Sequence, residues 1–191
     1  MFSTIIVFSG NYGAGKTTAA NAMVGKANSF ALADPIRKQV FYLLKDSLIH
    51  SKDQNDKNKK VGKGKILKCI KEKPASNKIS APVFRNFKEA CLKEKDLTQV
   101  TYRRMLQLYG GAGRKVNRYY WTRECLKLMV EVHSSSSVAI DDVRFVAELE
   151  EIRSFASKRK IRVVHIWLGE PADDNYENKQ LEGLADYKMS F

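Results

Sequence analysis

The segment Gly10-Asn11-Tyr12-Gly13-Ala14-Gly15-Lys16-Thr17 meets GxxxxGK[ST] at every fixed position. That spacing suits the binding of a polyphosphate. Glycines let the backbone take φ > 0 and approach phosphate oxygens without a Cβ, while the start of a following helix offers unpaired N–H groups. Lys16 would reach the β- and γ-oxygens, and the Thr17 hydroxyl would ligate magnesium. With Thr18 in the same turn, residues 10–18 form the candidate site for ATP and Mg²⁺.

A second acid belongs at the end of a neighbouring strand. Val138-Ala139-Ile140 reads as a buried strand that delivers Asp141 and Asp142. Asp142, with Asp141 as the second choice, stands where a carboxylate would hold the metal or its water shell. The same Asp-Asp pair could instead cap the following helix. A triphosphate site by itself does not separate a kinase from an ATPase, a GTPase or a helicase.

Arginines at element ends bear on that choice: Arg37, Arg103, Arg104, Arg114 and Arg144. A phosphate monoester has a second pKa near 6, so at neutral pH it is largely a dianion that needs cations rather than a general base. Taken together the arginines favour transfer to an anion, although any one of them could be a solvated surface residue.

Strands alternating with helices should position these groups. Strand one is expected over 4–9, a helix over 15–26, a short strand at SFALA, and a helix from Pro35 to about Leu48. Residues 82–95 and 98–109 look helical, with Gly110-Gly111 stopping the second. Cys125, Leu128, Met129 and Val132 mark one buried stripe of a helix over about 119–132. Phe145, Leu149, Ile152 and Ala156 trace another helix, Ile161 to Leu168 another strand, and Tyr187, Met189 and Phe191 alternate as an edge strand would. The pattern is α/β: a mostly parallel sheet covered on both faces, in three layers, with ligands at the C-terminal strand ends.

The 191 residues suit one domain, 1–191, with an inserted region at 45–100. The net charge of +13 is concentrated, since residues 45–104 hold 17 Lys/Arg against 7 Asp/Glu. Within them, HSKDQNDKNKKVGKGKILK reads as a solvated, mobile lysine-rich loop over about 51–80, with a nucleic-acid patch or a surface attracting anionic substrates as the other readings. No aromatic residues interleave with the lysines of 51–73, which leaves nucleic acid the weaker partner. Cys69, Cys91 and Cys125 are odd in number and lack a CxxC pair, which points to a reducing compartment. The opening apolar run is too short for a signal peptide or a membrane span. The expected location is cytoplasmic, and a homodimer is left open.

Three segments carry a family resemblance: RRMLQLYGGAGRKVNRYYW (103–121), DDVRFVAE (141–148) and SFALADPIRK (29–38). They resemble the viral and phage deoxynucleoside monophosphate kinases, a branch of the adenylate-kinase-like P-loop fold, through Arg103, Gln107, Gly110, Arg114, Trp121, Asp142, Arg144, Glu148 and Pro35. More distantly, phosphomevalonate kinases share the D-x-R strand and an acidic tail segment. The resemblance implies that Asp142 and Arg144 serve the transferring phosphate and magnesium, and that Arg37, Arg103 and Arg114 hold the acceptor phosphate. It also places Asp34, Gln107 and Trp121 on the acceptor side, Trp121 standing either as a base-stacking surface or as core. A viral source would put the protein in the host-cell cytoplasm. The sequence departs from the family at Arg37, Thr17 and Val146-Ala147, in an acidic segment with Glu177 but no histidine, and in a short lid at 169–174 without arginine.

Overall fold

The computed structural model describes residues 2–45, 54–71, 79–132, 136–170 and 176–190. They form two compact units, one of residues 1–32 with 122–191 and the other of residues 33–121. The expected insertion at 45–100 falls inside the second unit.

The first unit is built on five strands: β1 (Thr4–Gly10), β2 (Ser29–Phe30), β3 (Ser137–Ile140), β4 (Arg162–Leu168) and β5 (Tyr187–Met189). Every pairing is parallel, in the order β2-β3-β1-β4-β5, so β1 lies at the centre with Ile5 opposite both Val138 and Val163. Period-two alternation sends β1 side chains to both faces. Ile5 and Val7 join a core with Cys125, Leu126, Met129, Leu149 and Ile152, whereas Ile6 and Phe8 pack with Ala20, Ala139 and Leu168. Helix α1 (Lys16–Val24) therefore covers one face. The other is covered by α7 (Tyr120–Val132) from Thr122 onward and by α8 (Val146–Ser157), with α9 (Tyr176–Gly183) contributing Leu181 to the same core. Burial on both faces accounts for the near-continuous apolar composition of the central strands. The strand expected at SFALA is shorter than its sequence suggested, pairing with β3 only through Ser29 and Phe30.

The second unit is helical, with α2 (Asp34–Leu44), α3 (Gln54–Asn58), α4 (Lys63–Lys71), α5 (Ala81–Leu92) and α6 (Tyr102–Val116). Its core gathers Val40, Ile66, Val83, Phe87, Met105 and Tyr109. Inside it the Tyr109 hydroxyl donates to Oε1 of the buried Gln39 at 2.9 Å. Two expectations are corrected here.

The lysine-rich stretch is not a loop throughout, for residues 63–71 are helical and bury Ile66, Cys69 and Ile70. Their i, i+3, i+4 spacing makes one apolar stripe beneath the lysines. Burial of an isoleucine contributes roughly 1.5–3 kcal/mol, enough to hold a helix too short to persist alone. Residues 54–58 of the same stretch are helical as well, while 51–53 and 72–78 lie outside the described residues.

Gly110-Gly111 does not stop α6, which continues to Val116. The reason lies in Trp121, whose indole lies on the helix backbone. A Cβ at Gly113 would fall 2.4 Å from Trp121 Cε2, and Trp121 Nε1 donates to the Gly110 carbonyl at 2.7 Å. Glycine within a helix costs up to about 1 kcal/mol; the buried aromatic packing offsets it. At the other end, the Thr101 hydroxyl accepts from Arg104 N and starts the helix.

Candidate active site

The loop after β1 is shaped by positions where only glycine fits. Gly10 has φ +132°, and a Cβ there would stand 1.9 Å from the Leu168 carbonyl oxygen. That close approach fastens the loop to the end of β4, where Asn11 N donates to Leu168 O (3.1 Å) and Asn11 Nδ2 to Glu170 O (3.3 Å). Gly13 and Gly15 follow at φ +81° and +73°, and Gly15 sits at the N-cap of α1 without any side-chain cap. A helix start of this kind presents amides to an anion. Gly169, at φ +110°, lies beneath the loop, its virtual Cβ 3.2 Å from that of Ala14. The sequence pattern assigns residue 169 to the lid. The signal for its actual place is a glycine directly after the apolar run 161–168.

Lys16 Nζ donates to the carbonyls of Gly10 (3.0 Å) and Asn11 (2.6 Å), drawing the loop around its own ammonium. Burial lowers the lysine pKa; Asp142 opposes that shift, Arg144 adds to it, and Asp141 opposes it more weakly. The loop lysine is thus in the field of the residues after β3, the group that sequence spacing assigns to the same chemistry.

Beyond β3 the buried Asp141 donates its N–H to Phe30 O (3.0 Å), and Val143 N donates to Phe8 O (3.3 Å), fixing the segment between β2 and β1. Arg144 grips Asp142 with both arms of its fork, Nε to Oδ1 at 2.8 Å and Nη2 to Oδ2 at 3.2 Å. That hydrogen-bonded pairing raises the guanidinium pKa further, so Arg144 stays cationic. Glu148, which matches the family pattern, acts locally. Its Oε2 accepts the N–H groups of Arg144 (2.9 Å) and Phe145 (3.1 Å) at the start of α8. Glu177 Oε2 accepts from Val146 N at 3.1 Å. Both acids accept backbone N–H groups at the start of α8, where negative charge is favoured.

Thr17 and Thr18 stand exposed in the first turn of α1. Among the described residues no three or more His, Cys, Asp and Glu side chains gather as a metal cluster. Of the oxygen donors that the sequence assigns to a divalent ion, the Thr17 hydroxyl stands at the start of α1 and the Asp142 carboxylate is held by Arg144, while Asp141, the second choice, is buried. A cleft of about 680 Å³ adjoins the loop.

The candidates in residues 33–121 occupy two helices. Asp34 and Arg37 form an ion pair at 2.8 Å in the first turn of α2. Arg103, Gln107, Gly110 and Arg114 recur at i, i+4, i+7 and i+11 along α6, within one narrow stripe of the helix. Arg103, Gln107 and Arg114 are exposed, and the guanidinium of Arg114 lies over Gly110. Arg104 is bound to Glu94 by a two-armed ion pair (Nη2 to Oε1, 2.6 Å; Nε to Oε2, 3.2 Å) and takes no part in the stripe. Trp121, which the sequence leaves as either a base-stacking surface on the acceptor side or core, is core. It is 4% exposed, with Tyr109 and Tyr120 rings at 5.5 and 4.8 Å. The lid residues 171–174 lie outside the described set.

The three cysteines are buried thiols, and burial pushes the Cys91 thiol up to about 12, which removes it from nucleophilic chemistry. Among the described residues no helix is long and apolar enough to cross a membrane. In comparison with known proteins, no family model and no curated protein matches this chain.

Proposed function

We propose that this chain is a P-loop kinase that transfers the γ-phosphoryl group of Mg-ATP to a deoxynucleoside monophosphate. The observation that carries the reading is the glycine-fixed loop drawn around Lys16 at the end of β1, with the segment of Asp142 and Arg144 tied to the same strand by Val143 N donating to Phe8 O at 3.3 Å. A phosphate-binding lysine, a metal-holding acid and an arginine for the transferring group are the charges that phosphoryl transfer uses. The parallel sheet, with its order reversing at β1, supports the P-loop class, because ligands of such sheets sit outside the carboxyl ends of the strands at that reversal.

In this reading residues 10–18 bind the triphosphate, with Lys16 leaving the Gly10 and Asn11 carbonyls to meet the β- and γ-oxygens. Thr17 and Asp142 hold Mg²⁺, which when bound neutralises charge on those oxygens. Arg37, Arg103 and Arg114, supported by Asp34 and Gln107, bind the acceptor phosphate. One of its oxygens attacks the γ-phosphorus, the bond to the β–γ bridging oxygen breaks, and ADP leaves with the electron pair. The acceptor is already an anion and gives up no proton to the protein. His165 agrees with that, as it is fully buried and held by Ser9 and Leu184.

The test is ADP release with Mg-ATP and each of the four deoxynucleoside monophosphates. At least one should be turned over, and Lys16→Ala should lower that rate by about a hundredfold or more. If no acceptor raises ADP release above the level of Lys16→Ala, the assignment fails.

A further inference from the structure

We propose that Tyr12 is a stacking platform for the heterocyclic base of the bound nucleotide, and that the cleft beside it seats the nucleoside. The inference rests on the triphosphate reading of the loop and adds to it the part of the ligand that the loop glycines do not explain. Tyr12 is 89% exposed, the most exposed large hydrophobic side chain among the described residues, and it makes no hydrogen bond to a described residue. Its backbone is nonetheless held in place. Asn11 before it is pinned to Leu168 and Glu170, and Gly13 after it turns the chain at φ +81°. A fixed Cα carrying an exposed ring is a surface prepared for a flat partner, since stacking restricts only two side-chain torsions.

The cleft that Tyr12 lines has the dimensions and chemistry of a nucleoside seat. Its volume of about 680 Å³ is in the range of small-molecule sites. On α1 its wall consists of Thr18, Ala19 and Ala22, adjacent on one helix face and all small; on the other side stand Gly169 and Glu170. Larger residues at 19 and 22 would fill the space. The phosphate amides at the start of α1 and the alanine wall are successive turns of the same helix, so a ligand anchored by its phosphates on the first turn extends naturally along the second. The Glu170 carbonyl already accepts from Trp167 Nε1 (3.1 Å) and Asn11 Nδ2 (3.3 Å), which sets it as a fixed floor rather than a reader of the base edge. Among the described residues that line the cleft, Tyr12 alone offers an aromatic face to the base.

Isothermal titration with Mg-ATP and with Mg-tripolyphosphate, which lacks a base, separates this inference from the reading beneath it. Wild type should bind ATP about tenfold or more tightly than tripolyphosphate. Tyr12→Ala should lose about tenfold in ATP affinity with tripolyphosphate affinity unchanged, and Tyr12→Phe should keep the wild-type affinities. Because the side chain is exposed, the melting temperature of either variant should match wild type, and this is measured alongside. Equal ATP affinity in wild type and Tyr12→Ala, with tripolyphosphate still bound, overturns the stacking role alone. Failure of wild type to bind either probe removes the phosphate loop, and the inference with it.

Discussion

Arg144 and Asp142 show how a residue can be assigned by what its interaction is too weak to do. Their side chains are 69% and 25% exposed, and an exposed ion pair of this kind contributes at most about 1 kcal/mol to folding. A two-armed pair two residues apart is therefore poorly explained as a stabilising device, whereas the proposed function gives its cation a task. Arg144→Lys keeps the charge and loses the fork. The account expects its urea stability to stay within about 1 kcal/mol of wild type, while kcat for the phosphoryl acceptor falls about a hundredfold and KM for ATP changes less than about threefold. Steady-state kinetics and urea titration of the same preparation check this. Glu148 and Glu177 teach the opposite lesson. Both lie in segments that carry the family resemblance, yet their oxygens are engaged by amides at the start of α8.

At the scale of elements, β1 and β4 are joined beneath the loop of residues 10–17 by a buried pair. Leu184 O can only accept, so His165 Nδ1 carries the proton, and Nε2 accepts from Ser9 Oγ at 2.7 Å. The neutral ring is satisfied, and burial lowers its pKa despite the Leu184 bond; Arg153 lowers it further and Asp186 acts in the other direction. Between the folded pKa and the unfolded value of about 6.5, only the unfolded chain binds the proton. Stability contributed by His165 is therefore complete above about pH 6.5 and declines as the pH falls toward the folded pKa. Urea midpoints from pH 7.5 to 5 should show a steeper decline for wild type than for His165→Gln; parallel curves would mean that the ring titrates equally in both states. The elements themselves are unequally legible in the sequence. The loop from Gly10 to Thr17 can be read because its requirements are local: positive φ at Gly13 and Gly15, and close backbone approach at Gly10. Helix α6 is cut short in a sequence reading because the tolerance for Gly110 and Gly113 depends on Trp121, which local propensity cannot see. Helix α4 is hidden by its lysine count, although Ile66, Cys69 and Ile70 already carry the helical period. The stripe of Arg103, Gln107 and Arg114 emerges only once α6 is known to run unbroken through the glycines.

For the whole molecule, the distribution of charge matters more than its sum. Residues 33–121 hold 22 Lys/Arg against 8 Asp/Glu, whereas the remaining residues hold 12 against 13. All of the excess positive charge thus belongs to the unit that carries the candidate acceptor arginines. Such a field raises the encounter rate with small anions and is screened over about 8 Å at physiological salt. The same field would also serve a nucleic-acid-stimulated ATPase, so charge alone does not choose between the two. The fate of the γ-phosphoryl group does. The most direct measurement supplies γ-labelled Mg-ATP with a mixture of the four deoxynucleoside monophosphates, with and without added DNA, and separates the products. The account expects label in a deoxynucleoside diphosphate, at a rate that DNA does not increase. Label found only in inorganic phosphate, released faster when DNA is present, would contradict it.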